Sequence, residues 1–103
     1  MSYDGNRRAT RETPVIYITQ IRLVGGTRHE HIAGVRWRNP GNGKSGQSTR
    51  ETIVTWIRDP KHDARVTDGV NEVNVDVVNA TPPYIRTQAD GEWTDNLLAL
   101  PQF

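Results

Sequence analysis

Apolar residues fall along this chain in short runs, most of them with the period of a strand and one with the period of a helix. From Val15 to Val24 the residues are mainly β-branched or aromatic, a composition that suits a pleated strand. Alternation within that run is imperfect: Ile16 and Ile18 share one parity, Ile21 and Leu23 the other. Either a bulge near Thr19-Gln20 resets the register or both faces are partly covered, because a one-residue slip exchanges the faces of every later side chain. Gly25-Gly26 ends the run. Residues His31 to Asn39 alternate cleanly, with Ala33, Val35 and Trp37 on one side and Arg36 and Arg38 on the other. The short connection through Gly25–Glu30 predicts that these two strands pair antiparallel. Pro40–Gln47, with three glycines, reads as a loop.

At Ser48 the period becomes helical. Ser48-Thr49-Arg50-Glu51 has the spacing of a capping box, with Ser48 as the cap and Glu51 reaching back. Ile53, Val54 and Ile57 form an apolar stripe with Trp56 at its edge, and Asp59-Pro60 stops the helix. A helix of about ten residues does not persist alone, so it must lie on the sheet. Beyond it come a short strand around Ala64–Thr67 and a half-exposed one in which Val73, Val75 and Val77 alternate with Glu72, Asn74 and Asp76. Pro82-Pro83 precede Tyr84–Gln88, which reads as an edge strand because proline cannot donate to a ladder. After the Ala89-Asp90-Gly91 turn, Trp93–Phe103 reads as a short helical turn capped by Thr94 or Asp95 and packed back on the core. The predicted architecture is α+β: an antiparallel sheet of four to five strands in ββαβββ order, one helix on one face, and a C-terminal tail closing the core.

Composition narrows this picture. A chain of 103 residues that is 34% hydrophobic supports one modest core, here residues 14–103. Residues 1–13 are polar, lack periodicity and read as a flexible basic arm carrying Arg7, Arg8 and Arg11. With no cysteine, disulfides, thiolate metal sites and a cysteine nucleophile are excluded. Neither a signal-type apolar segment nor a run long enough to cross a bilayer occurs, so a cytoplasmic protein without membrane contact is expected.

Charge changes the picture most. Residues 1–65 hold twelve of the thirteen Lys/Arg and six of the twelve Asp/Glu, whereas residues 66–103 hold Arg86 and the other six acids. A formal net charge of +1 conceals this split. Arg36 and Arg38 share a strand face, Arg22 is placed to join them from the neighbouring strand, and Lys44, Arg50, Arg58, Lys61 and Arg65 follow from the loop, the helix and its exit, a stripe suited to phosphates if they converge. A competing expectation is neutralisation: Glu72 and Asp76 also face outward from a strand and would cancel Arg36 and Arg38 if the strands were neighbours. Strand order decides between them.

Candidate chemistry is thin. Gly41-Asn42-Gly43-Lys44-Ser45 invites a phosphate-loop reading, but Arg38 stands where the motif needs its first glycine. The helix also starts later, with its own cap, so the segment reads as a connector; a weak anion site formed by Lys44 and Arg50 is the residue of that idea. His29, His31 and the His62-Asp63 pair are a set zinc would accept, yet their separation makes polar surface the simpler reading. Ser45 and Ser48 lack a nucleophile context, and no carboxylate pair has acid/base spacing. Arg7-Arg8-Ala9-Thr10 resembles a basophilic kinase site but reads as part of the arm. No enzyme activity, metal or cofactor is expected.

Near the C-terminus the sequence Tyr84-Ile85-Arg86-Thr87, then Asp90-Gly91, then Thr94-Asp95-Asn96-Leu97-Leu98 and Leu100-Pro101, resembles the closing signature of a family of small bacterial and phage proteins known as domain of unknown function 3892. Ile18-Thr19, His29-Glu30-His31-Ile32 leading to Trp37, and Ser48-Thr49-Arg50 leading to Trp56-Ile57 agree with it. The resemblance covers roughly residues 15–101. It implies a compact α+β module and carries no activity, cofactor or catalytic residue. Function is therefore read from the surface. The first expectation is an accessory module that contacts another protein, or a second copy through its complementary charged regions, using Arg36, Arg38 and Trp93. The alternative is a binder of DNA or RNA that uses Arg22, Arg36, Arg38, Lys44, Arg50 and the arm.

Overall fold

The computed structural model describes residues 15–59 and 62–103. The basic arm, its kinase-like motif and Lys61 lie outside them. In chain order the elements are β1 (Val15–Leu23), β2 (Ile32–Asn39), β3 (Lys44–Thr49), α1 (Arg50–Arg58), β4 (Asp63–Thr67), β5 (Glu72–Val78), β6 (Tyr84–Ala89) and β7 (Glu92–Thr94). A short 3-10 turn, His29–His31, lies between β1 and β2.

All seven strands join one sheet in the order β3-β2-β1-β4-β5-β6-β7. The sheet is mixed. Every neighbouring pair is antiparallel except β1 and β4, which run parallel through Val15↔Asp63, Ile16↔Ala64 and Tyr17↔Arg65. This parallel pair follows from the helix: α1 returns the chain across the sheet, so that β4 points the same way as β3 and β1. The α+β class and the single helix agree with the sequence reading, while the expected purely antiparallel sheet of four to five strands in ββαβββ order gives way to seven strands.

Two of the extra strands came from segments read otherwise. Lys44–Thr49 was expected to be mostly loop, but it forms β3, in regular register with β2 from Asn39↔Lys44 to Gly34↔Thr49. Its residues are almost all exposed, so no hydrophobic alternation marks it. Glu92–Thr94 forms β7 and pairs with β6, which makes β6 an inner strand and not an edge. The turn between them has Asp90 at φ 54° and Gly91 at φ 80°, and this pair of positive φ values is what a two-residue hairpin needs to match the strand twist.

The irregular alternation in β1 is a bulge at Thr19: Ile18 pairs with Trp37, and the next paired residues are Gln20 and Arg36. Ile16, Ile18 and Ile21 therefore all reach the buried side, at 4%, 2% and 0% exposure, despite their mixed parity. The helix begins one residue later than the capping box suggested. Thr49 is the cap, accepting a hydrogen bond from the Thr52 amide at 3.2 Å, whereas the Ser48 hydroxyl accepts from the Trp37 indole N–H at 3.1 Å. Ile53 and Val54 face the sheet and join the core.

Beyond the bulge β1 leaves β4, and the tail fills the place. Ile21 N–H donates to the Pro101 carbonyl at 2.9 Å and Phe103 N–H donates to the Ile21 carbonyl at 3.0 Å. Before that, successive turns over Asp95–Leu100 place Leu97 in the core with 0% exposure. The expected helical turn is thus a short series of 3-10-type bonds, and its role in closing the core matches the sequence reading.

Candidate functional site

One face of the sheet carries α1 and the core; among the described residues the other carries no helix. Strand register fixes what the open face presents. From the β3 edge inward it holds Ser45 and Gln47, Arg38 and Arg36, then Tyr17, Gln20 and Arg22. Arg22 reaches this face only because of the bulge, since unbroken alternation from Ile16 and Ile18 would turn it toward the core.

The three arginines are ordered by neutral groups. Arg36 donates to Gln20 Oε1 at 3.3 Å and to Gln47 Oε1 at 3.4 Å. The Arg36 and Arg22 guanidinium groups lie 4.5 and 5.0 Å from the Phe103 ring centre, and Arg38 lies 5.0 Å from that of Tyr17. Among the described residues none of the three takes part in an ion pair.

The expected neutralisation occurs elsewhere. Glu72 accepts from Arg65 at 3.0 Å and from the Tyr17 hydroxyl at 3.1 Å, and Arg65 also holds Asp63 at 2.8 Å. The Arg65 and Tyr17 hydrogen bonds hold the Glu72 carboxyl below its usual range. Asp76 lies across from Arg86, not from Arg36 or Arg38. Strands β1 to β3 thus carry arginine and lysine with no acid, Arg65 neutralises Asp63 and Glu72 in the middle of the sheet, and β5 to β7 add Asp76 and Glu92 against the single cation Arg86. The charge division along the chain becomes a division across the sheet.

Other candidate residues do not converge there. Lys44 pairs with Asn39 and so belongs to the helix-bearing side. Arg50 points to the 3-10 turn, donating to the Glu30 carbonyl at 2.8 Å, with Glu51 at 3.5 Å. Trp93 is 41% exposed but sits on β7, at the opposite edge from Arg36 and Arg38, so the three do not form one patch. Phe103 and Tyr17 were not singled out from sequence, although an aromatic residue two places from a bulge on an arginine-bearing sheet is a readable signal. His31 Nδ1 accepts from the Arg28 amide, and His62 stacks on Trp56 with ring centres 4.3 Å apart. Among the described residues no group of three or more His, Cys, Asp or Glu side chains is placed to hold a metal.

The residues that carry the sequence signature of the tail form a second polar cluster. Arg86 holds the Asp95 carboxylate at 2.8 Å, Thr87 donates to the Thr94 carbonyl at 3.0 Å, and the Asn96 amide donates to Thr87 Oγ1 at 3.1 Å. His29 is buried beside them, its Nε2 3.8 Å from Asp95. Burial, and next the Arg86 charge, lower the His29 pKa, opposed by Asp95 and Glu30. The folded state thus prefers neutral His29. Its contribution is complete above the ordinary value of 6.5 and is lost as the pH falls through that value toward the lower folded one. Chemical denaturation between pH 7.5 and 5 should show stability falling, and His29→Gln should flatten the fall in that window.

The described chain is a small α+β protein with a mixed sheet, one face covered by α1 and an opposite face that is basic at its β1–β3 end. It belongs to the family described as Protein of unknown function (DUF3892), which matches residues 17–101. That span runs from β1 through the tail. No curated protein and no solved structure matches the chain. Among the described residues, no helix is long and apolar enough to cross a membrane.

Proposed function

We propose that this protein is a non-enzymatic binding module that holds single-stranded nucleic acid on the arginine-bearing end of its open sheet face. One observation carries the reading: Arg22, Arg36 and Arg38 stand on adjacent strands of the face opposite α1, steadied by glutamines and aromatic rings, and none of them has an ion-pair partner among the described residues. Phosphates supply the complementary charge, and guanidinium planes beside Phe103 and Tyr17 are surfaces on which bases stack. A sheet face without a protruding element suits a flexible single strand better than a duplex groove. Lys44, Arg50 and Trp93, which lie elsewhere, are not part of the proposed surface.

Titration of a fluorescent single-stranded oligonucleotide at a series of salt concentrations tests this. Three phosphate contacts give a slope of log K against log salt of about −2. Absence of binding at low salt, or tighter binding of an acidic peptide than of the oligonucleotide, would refute the reading in favour of a protein partner.

A further inference from the structure

On the opposite, helix-bearing side a cleft of about 160 Å³ opens between α1 and the β2–β3 hairpin. Its apolar walls are Trp37, Trp56, Ile16 and Ile53. Both indoles are held in place. Trp37 donates to Ser48, and its ring crosses β3 where Gly46 has no Cβ; one added there would stand 3.0 Å from the ring. Trp56 is stacked on His62, whose Nδ1 lies 3.0 Å from the Trp56 carbonyl.

The polar lining is one-sided in its chemistry. Asn39 Oδ1 accepts from the Gly41 amide and Asn42 Oδ1 from the Lys44 amide, both at 2.9 Å, which leaves the two carboxamide NH₂ groups to donate. The Ser48 oxygen already accepts from Trp37, and the Thr52 oxygen accepts from Thr49, so each hydroxyl keeps its own proton to give. Among the described residues Lys44 is the only charged one lining the cleft, and it has no ion pair there. Each of these oxygens already accepts one hydrogen bond within the protein, while the carboxamide NH₂ groups and the two hydroxyl protons donate to no partner among the described residues.

From this arrangement we infer that the cleft is a binding site for a small carboxylate bearing one aromatic ring. Size limits the ligand: a cavity of about 150 Å³ lined by apolar side chains accommodates benzene, so this cleft holds one ring and excludes a nucleotide. The ring lies between the indoles, and the carboxylate meets Lys44 and the asparagine amides at the rim. Neither Trp37 nor Trp56 belongs to the open face, so this site stands independently of the nucleic-acid reading.

Benzoate is the probe, with benzamide as its neutral counterpart, titrated into the full chain carrying Trp93→Phe so that indole fluorescence reports Trp37 and Trp56. Saturable binding at millimolar or lower benzoate is expected, at least tenfold weaker for benzamide and about tenfold weaker for Lys44→Gln. No saturable change up to about 10 mM would overturn the inference. So would equal affinity for benzoate and benzamide, or an unchanged affinity in Lys44→Gln. If the indole signals respond to protein concentration and not to benzoate, the cleft is covered by a second copy and the proposal fails.

Discussion

Replacing Leu97 with alanine should lower the unfolding free energy by about 3 kcal/mol, within the usual range for a fully buried leucine. Leu97 has 0% exposure and belongs to the same cluster as Ile21, Ile32 and Ile85, although it lies only six residues from the C-terminus. It is fixed on both sides: the Asn96 amide is bound to Thr87, and the Leu97 carbonyl accepts from Leu100 at 3.1 Å. Those restraints hinder collapse of the tail into the void, so the cavity cost adds to the lost transfer energy. For a domain whose total stability is about 5–15 kcal/mol this is a large fraction, and the midpoint should fall by roughly 4–8 °C for each kcal/mol. Leu98, half-buried beside it, should cost clearly less when changed to alanine. Urea unfolding of both variants measures the difference; a Leu97→Ala loss under about 1 kcal/mol would mean that the tail does not close the core.

Reversing Arg36 and Arg38 together to glutamate should reduce oligonucleotide affinity at least a hundredfold at low salt and flatten the salt dependence by about 1.4, the share of two phosphates. Both side chains are exposed and neither takes part in an ion pair among the described residues, so the fold should tolerate the exchange. Arg58→Glu supplies the control for overall charge. It sits at the end of α1, bound to Asn79 at 2.9 Å, away from the open face, and should change affinity only a few-fold. Equal losses from Arg36→Glu and Arg58→Glu would show that only net charge matters.

Much of this fold was legible where burial imposed a period. β2, β5 and α1 could be read because one face of each packs inward, and the broken parity of the isoleucines in β1 pointed to the bulge that the structure contains. β3 was not legible, since an edge strand exposed along its length has no apolar alternation to display. β7, at three residues, is shorter than any periodicity can register, and missing it turned β6 into an apparent edge. The helix start slipped by one because Ser48 and Thr49 are equally good caps by type; the Trp37 indole claims one hydroxyl and leaves the other for the helix. The arginines themselves could be named from sequence. Their standing as a surface could not, because that depended on strand order, and strand order places Glu72 beside Arg65 instead of Arg36.

The charge division along the chain is a spatial division, and we propose that its basic end is the binding surface. Mapping amide chemical shifts of the labelled protein on addition of a short single-stranded oligonucleotide tests it most directly. The expected changes cluster at Tyr17–Arg22, at Gly34–Arg38, along β3 and at Phe103, and leave β5 to β7 unmoved. Changes centred on β6 and β7, or on the outer side of α1, would contradict it.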